Sequence, residues 1–345
     1  MSRIFVGMSG GVDSAVSAAL LKQQGHDVVG VFIKIWSPEF LECTWKKDRL
    51  DALRSAVALG IPFREIDLSD EYKSAVIETM VREYAHGKTP NPDVVCNEAI
   101  KFGAFLEWAR VSGADKVATG HYAQVIRNDA QRRYELHRGV DTGKDQSYFL
   151  HRLGQKELSQ VIFPVGNIEK HEVRRLANKF NLSVANRPDS QGLCFVGDIT
   201  LPEFLSRYLA SHPGDVVDMR GATIGIHEGA HLYTRGQRHG MRFTHNTAEA
   251  YYVVKTDIVS NVVTVSHRRE DAESYICILA DVHWISEEVS HADALVRYRA
   301  RGVGCRIENE SGKTRVRFDV PQIISPGQSV VLYAANMCLG GGIAE

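Results

Sequence analysis

Along the first third of the chain, short uninterrupted apolar runs alternate with stretches whose apolar residues recur every three or four positions. Residues 3–8 and 27–33 contain Ile4-Phe5-Val6 and Val28-Val29-Gly30-Val31-Phe32-Ile33, the pattern of strands buried on both faces of a parallel sheet. Between them Val16, Ala19 and Leu20 share one helical face, and Gly25 supplies a stop. The same reading predicts helices from about Asp48 to Leu59, Ser69 to Tyr84 and Asn97 to Val111, with strands at Phe63–Asp67 and Asp115–Thr119. Strand and helix in alternation build a doubly wound α/β domain with a parallel sheet.

After about residue 200 the helical spacing fades. β-rich runs replace it, among them Tyr252-Val253-Val254, Val262-Val263-Thr264-Val265, Arg315-Val316-Arg317-Phe318 and Val330-Val331-Leu332-Tyr333. Asn309-Glu310-Ser311-Gly312 and Ser325-Pro326-Gly327 punctuate them as hairpin connections do. The expected organisation is therefore an α/β domain over residues 1–200, a small central domain over 201–270 and a C-terminal β-barrel over 271–345. Helix faces such as Val76, Ile77, Met80, Val81 and Tyr84 read as core.

Composition narrows the class more than the partner. With 44% hydrophobic and 24% charged residues, the chain has the makings of a globular enzyme rather than a disordered one. No apolar run reaches the roughly 18 residues a bilayer requires, so no membrane association is expected. Residues 1–7 lead straight into a strand, so neither a signal peptide nor an Arg- and Ser-rich leader is expected. Six cysteines, at positions 43, 96, 194, 277, 305 and 338, form no Cys-x-x-Cys pair, which favours a reducing cytoplasm over a disulfide scaffold or a structural zinc. His227, His231, His239 and His245 are too irregularly spaced to argue a metal site. The 41 basic and 42 acidic residues nearly cancel, so net charge neither predicts nor forbids nucleic acid.

The strongest local signal is Ser9-Gly10-Gly11-Val12-Asp13-Ser14, between the first strand and the first helix. Glycines let backbone approach an anion, and a helix N-terminus supplies amide hydrogens and about half a positive charge. The segment lacks both the Gly-Lys-Ser/Thr ending of a Walker loop and the Gly-x-Gly-x-x-Gly of a dinucleotide fold. It resembles the pyrophosphate loop of the N-type ATP pyrophosphatases, which split ATP into AMP and pyrophosphate while adenylating a substrate.

Two cysteine segments narrow the substrate. Thr89-Pro90-Asn91-Pro92-Asp93-Val94-Val95-Cys96-Asn97 puts a thiol just ahead of a predicted helix, where the dipole favours thiolate. Asp189-Ser190-Gln191-Gly192-Leu193-Cys194-Phe195 puts a second in a Gly-containing turn. Taken singly, either is equally a buried structural thiol. Together with the loop they resemble the tRNA-specific 2-thiouridylase family (MnmA type) along the whole chain. Thr119-Gly120-His121-Tyr122-Ala123, Lys144-Asp145-Gln146-Ser147-Tyr148-Phe149-Leu150, Phe163-Pro164-Val165-Gly166, Gly236-Gln237-Arg238, Arg297-Tyr298-Arg299, Pro326-Gly327-Gln328-Ser329 and Cys338-Leu339-Gly340-Gly341-Gly342-Ile343 extend the match.

The resemblance implies an adenine nucleotide alpha hydrolase-like fold and ATP held by Gly7, Met8, Ser9, Gly10, Gly11, Val12, Asp13, Ser14, Ile33 and Gly120, with Mg²⁺ accompanying the nucleotide. The family usually has Met where Ile33 stands, which leaves adenine packing open. It further implies that Asn91, Pro92 and Asp93 meet the target base, with Asp93 handling a proton at the uracil. Cys194 would carry a persulfide and Cys96 would resolve it through a transient disulfide. His121, Lys144, Asp145, Gln146, Arg297, Tyr298 and Gln328 would contact tRNA. Cys43 matches a family position and receives no role. The implied reaction is 2-thiolation of the wobble uridine in Lys, Glu and Gln tRNAs, fed by a cysteine desulfurase or sulfur carrier.

Three expectations follow for the structure. The segment holding Cys194 must come over the nucleotide site as a mobile lid, because the two sulfurs must meet. The base must leave its stack to reach Cys96. Arg297, Arg299 and Arg301 alternate, so as a strand they would line one face and track phosphates, or else guard a barrel edge. A small-molecule ligase of the same superfamily would use the loop but leave Cys96, Cys194 and the β-rich tail idle. A noncatalytic tRNA-binding protein would have no use for an intact loop and both cysteines.

Overall fold

The first apolar run of the sequence becomes the centre of the first sheet. A computed structural model describes residues 1–40, 45–188, 199–245, 249–310 and 312–345. In it β1 (Arg3–Gly7) has Ile4, Phe5 and Val6 fully buried. It is flanked in parallel by β2 (Asp27–Lys34) and β4 (Lys116–Ala118), with β3 (Phe63–Asp67) and β7 (Val161–Ile162) outside, in the order β3-β2-β1-β4-β7. Helix α1 (Val12–Gln23) buries Val16 and Ala19 against one face together with α2 (Trp45–Leu59). Gly25 at φ 84° ends α1 as its sequence suggested. Chain order reverses between β1 and β4, so a crevice opens beyond their carboxyl ends, where open α/β sheets bind ligands.

Two long helical runs cover the other face. The first passes through Ser69–Tyr72, a π-helical stretch Lys73–Glu78, and Thr79–Ala85. The second begins at Pro92, five residues before the Asn97 start expected from the sequence, and runs as Pro92–Val95, a π-helical Cys96–Ala104 and Phe105–Val111. Asn91 is its N-cap, accepting from the Asp93 and Val94 amides at 3.1 and 3.4 Å, and Pro92 is tolerated in the first turn because its missing N–H had no partner to lose. Cys96 is thus one turn inside the helix, not ahead of it.

The C-terminal strands close into a six-stranded antiparallel barrel: Ser274–Trp284, Lys313–Gln322, Val303–Glu310, His291–Leu295, Ser329–Ala334 and Met337–Ala344, with the last pairing back to the first. The Asn309–Gly312 signal joins two strands paired as a hairpin. Ser325-Pro326-Gly327 does not, because the strands on either side of it pair with other neighbours; it is a crossover loop. A hairpin from the first domain, β5 (Ala123–Asn128) and β6 (Arg133–Arg138), adds to the barrel sheet through Met337↔His137 and Cys338↔Leu136. Between these bodies sits a five-stranded sheet built from Gly214–Val217, Thr223–His227, Arg242–Phe243, Tyr252–Asp257 and Val262–Ser266. Among the described residues no helix is long and apolar enough to cross a membrane.

Candidate active site

The nucleotide end is made mostly of backbone. Gly10 has φ 77°, and a side chain on it would run into the Asp48 carbonyl. Arg187 holds that arrangement, donating to the Gly10 carbonyl at 2.9 Å and to Asp51 at 3.0 Å while also pairing with Asp48. With the carbonyl of Gly10 turned away, the amides at the start of α1 face the crevice, and no side chain among the described residues caps that N-terminus. Ser14 Oγ accepts from the Ser9 amide at 3.2 Å, which sets the loop's curvature. Met8 is buried, and its amide donates to Val31 at 2.8 Å. A Cβ on Gly7 would rest against Ile33 and Thr119, each at 3.7 Å, so Ile33 does line this end.

Gly120 seals the opposite wall. A Cβ there would stand 2.7 Å from the Ser14 nitrogen and 2.9 Å from Asp13 Cβ, so only glycine allows this strand end to lie on the helix start. Asp13 is half-buried and accepts from Tyr122 Oη at 2.7 Å and from Lys170 Nζ at 2.7 and 2.8 Å. Side-chain-free backbone, orphan amides and one paired carboxylate are what the phosphates of ATP and an accompanying Mg²⁺ need. The residues present fit that ligand. Tyr122, Lys170 and Arg187 were not singled out from the sequence; of these, Tyr122 stood in a quoted motif, and nothing local marks the other two.

The second end is a cavity of about 450 Å³ where five stretches of the chain meet, with Asn91, Pro92, Arg297, Tyr298 and Gln328 in its wall. Pro326 accepts from the Thr89 amide at 2.7 Å, and Gly327, at φ 87°, lies so close that a Cβ would stand 2.9 Å from the Thr89 nitrogen. Thr89 Oγ1 also meets Thr234 Oγ1, in the loop between the Thr223–His227 and Arg242–Phe243 strands, at 3.1 Å. Tyr84 and Tyr148 add aromatic wall; burial raises the Tyr84 phenol to about 12, so this residue, read as core, is core with one face on the cavity. Tyr298 packs on Phe149 with ring centroids 4.4 Å apart. Arg297, Tyr298 and Arg299 form a turn, with Arg299 at φ 61°, so the one-face arginine strand expected from their alternation does not exist.

The remaining expected residues fall between the two ends. Gln146 clamps Tyr122 in both directions, its Oε1 accepting from the Tyr122 amide at 3.0 Å and its own amide donating to the Tyr122 carbonyl at 2.8 Å. Asp145 is 8% exposed and is saturated by the Gly139 and Ser147 amides, Ser147 Oγ and Arg138, which makes it a bracket for the 144–150 segment rather than a surface contact. His121 is also buried; Thr119 Oγ1 lies 2.7 Å from its Nδ1 and Lys101 Nζ 3.5 Å from its Nε2. Burial, helped by the Lys101 charge, holds this imidazole well below its usual range and therefore neutral. Lys144 lies half-buried in the preceding turn. Asp93 is half-buried; burial pushes its carboxyl up and Lys101 pulls it back. Cys96, 7% exposed, follows one turn later. Cys194, Cys43, the Asp189–Phe195 segment and the lid expected there lie outside the described residues.

A parallel sheet with a glycine loop at its switch point, followed by two β domains, defines a nucleotide-binding enzyme of the HUP class with an appended barrel. Family models agree: a tRNA methyl transferase HUP domain matches residues 2–198, a tRNA methyl transferase PRC-barrel domain 202–267 and an aminomethyltransferase beta-barrel domain 274–344. The tRNA-specific 2-thiouridylase MnmA of Geobacillus thermodenitrificans (strain NG80-2) is 44% identical over 354 residues, covering 100% of this chain and 95% of the relative. That of Alkaliphilus oremlandii (strain OhILAs) is 44% identical over 355 residues, covering 100% and 97%. The chain belongs to the tRNA-specific 2-thiouridylase family, as its motifs suggested. A solved 4-thiouridine synthetase–RNA complex with bound ATP overlaps 60% of this chain and 50% of that one at 15% identity and a TM-score of 0.36, a likeness too slight to add weight.

Proposed function

We propose that this protein uses ATP to replace the C2 oxygen of the tRNA wobble uridine with sulfur, in Lys, Glu and Gln tRNAs. The observation that carries the reading is the joining of two ends by one helix. Asn91 and Pro92, at its start, wall an aromatic cavity, and Lys101, further along, reaches the His121 that follows Gly120 at the loop. A flipped uracil lying against Tyr298 in this cavity would have a stacking face and the cationic Arg297 beside its phosphate. His121 and Asp145 would support the RNA-facing segments from behind, while Lys144, Gln146, Arg297, Tyr298 and Gln328 would be the contacts.

The neutral uracil O2 is a weak nucleophile. Transfer of the N3 proton to Asp93 would place charge on O2, which attacks the α-phosphorus and expels pyrophosphate into the amides of α1. Mg²⁺, held with help from Asp13, would neutralise phosphate charge. C2 then bears AMP as leaving group. The outer sulfur of a persulfide on Cys194 attacks C2 and AMP departs, while Cys96 bonds the remaining sulfur of Cys194. Alternatively Cys96 first attacks the persulfide and frees hydrosulfide as the nucleophile. Both routes end in a Cys96–Cys194 disulfide, which an external thiol must reduce. The persulfide would come from a cysteine desulfurase or sulfur-carrier protein.

The test is mass spectrometry of nucleosides from unmodified tRNA incubated with ATP, Mg²⁺ and a persulfide donor. Wild type should yield 2-thiouridine, and Cys96→Ser and Cys194→Ser none. Thiouridine from either variant at the wild-type rate would refute the two-cysteine route.

A further inference from the structure

Lys170 opens the helix Lys170–Lys179 and reaches into the nucleotide end. Its side chain is 12% exposed, a depth at which a lysine needs a partner. The ammonium donates to both oxygens of Asp13, at 2.7 and 2.8 Å, and stands 5.6 Å from the centre of the Tyr122 ring. Its backbone is fixed independently of that pair. The Lys170 amide donates to Asp141 at 3.0 Å, and Val173 and Ala177 of the same helix pack in one cluster with Val16 and Ala19 of α1. Asp13 is fixed as well. On one side Gly120 lies so close that an added Cβ would stand 2.9 Å from Asp13 Cβ, and on another Tyr122 Oη holds Oδ1 at 2.7 Å. Arg187 also reaches this end, but it is committed to Asp48, Asp51 and the Gly10 carbonyl, which set the shape of the loop. Lys170 differs, because its partner is the carboxylate that a nucleotide-bound cation would itself engage.

We propose that Lys170 is a catalytic residue held in reserve on Asp13: when Asp13 takes up Mg²⁺, the Lys170 ammonium turns to the phosphates and donates to pyrophosphate as it leaves. This rests on the reading of the loop as the place where ATP loses pyrophosphate. Two cations on one carboxylate repel each other, and a lysine, with four methylenes and three donors, can turn to a new acceptor while its backbone stays in place. Asp13 keeps Tyr122 on Oδ1, so departure of the ammonium leaves Oδ2 for the metal. In the adenylation step uracil O2 bonds to the α-phosphorus, the bond from that phosphorus to its bridging oxygen breaks, and the electron pair stays on pyrophosphate. The amides of α1 face that charge, and Lys170 adds a full positive charge at the same helix start with no proton transferred. Before nucleotide arrives, the same ammonium spares the half-buried Asp13 an uncompensated charge. Lys170 therefore opposes the metal at Asp13 and favours the leaving group.

The experiment uses the full chain in two arms, with Lys170→Met and Lys170→Arg checked for folding by circular dichroism. In the first, binding of α,β-methylene ATP, which cannot release pyrophosphate, is followed by calorimetry over a series of Mg²⁺ concentrations. Lys170→Met should lower the Mg²⁺ needed for half-maximal binding by about fivefold, because the competing ammonium is gone, and in an Asp13→Asn background it should cause no such shift. In the second, single-turnover pyrophosphate release is measured with unmodified tRNA, ATP and saturating Mg²⁺. Lys170→Met should slow it by about a hundredfold, and Lys170→Arg, which keeps the charge, should recover about tenfold of that loss. The two arms thus move in opposite directions, tighter metal and slower release, whereas a lysine that merely props Asp13 would weaken the metal when removed. A raised or unchanged Mg²⁺ requirement in Lys170→Met, the same shift in the Asp13→Asn background, or release at the wild-type rate overturns the proposal. Absence of pyrophosphate from the wild-type reaction overturns instead the adenylation reading beneath it.

Discussion

The two ends of the site are built by opposite means. At the nucleotide end, a run of eight consecutive residues, Gly7 to Ser14, does most of the work, and its chemistry is backbone amide exposed by glycine. At the base end, no two neighbouring segments suffice. Tyr84, residues 89–92, Tyr148, Ile199 and Leu201, residues 296–298 and 328–329 converge on one cavity, and what it offers is aromatic faces and the charge of Arg297. A phosphate chain can be held by any helix start with the right glycines, so its site can be local. A base must be surrounded on its faces and edges, which needs walls from several directions.

If the ends are separable, substitutions should silence one without the other. Cys96→Ser gives the largest expected effect, a loss of thiolation on the order of a thousandfold or more; pyrophosphate release in the presence of tRNA should persist, which a malachite-green assay with pyrophosphatase reads directly. Gly120→Ala should act at the opposite end. Its methyl group would press on the Ser14 nitrogen from 2.7 Å, and displacing the loop should cost about a hundredfold in ATP-dependent turnover, while tRNA binding measured by filter retention stays intact.

Smaller effects sharpen the contrast. Tyr298→Ala removes a stacking face and should weaken tRNA in steady-state thiolation by roughly ten- to a hundredfold in KM, with KM for ATP unchanged. Arg187→Gln loosens the clamp on Gly10, and a weakening of ATP by about tenfold is expected from its charge-assisted bonds, read by calorimetry. A fall in tRNA affinity instead would mean that Arg187 serves the base end. The pH dependence of folding should draw on two buried histidines, His121 behind the Thr119-Gly120 wall and His151 beneath Tyr148. His151, fully buried beneath Tyr148, is lowered to about 4 by burial, against the pull of its bond to the Tyr148 carbonyl. Its unfolded form binds a proton near the ordinary value, so its contribution is complete above about pH 6.5 and is lost as pH falls toward 4, on the order of 3 kcal/mol in all. Urea melts from pH 7 to 4.5 should show that decline, and His151→Gln should make it shallower while leaving the part that His121 contributes.

Much of this contrast was visible in the sequence. The Ser9–Ser14 loop, the α/β alternation and the stop at Gly25 are local, and local patterns survive folding. The start of the second long helix was misplaced because two prolines and an asparagine read equally as a stiff approach or as a cap and first turn. The arginine alternation at 297–301 misled for a related reason: a period of two marks one face only if the segment is extended, and a positive φ at Arg299 makes it a turn.

What the sequence determined by itself was therefore the nucleotide loop, the layer order of the first domain, the β character of the tail and the family. Each rests on interactions among residues close in the chain, or on motifs whose order is itself the signal. Tertiary structure alone decided that β5 and β6 extend the barrel sheet, that Gly327 brings the crossover loop onto Thr89, that Lys170 and Arg187 hold Asp13 and Gly10, and that Lys101 meets His121. Those contacts join residues whose separation in sequence carries no periodic signal. They exist because buried polar groups must find partners and glycines permit backbones to touch, conditions that apply only once the sheets have packed.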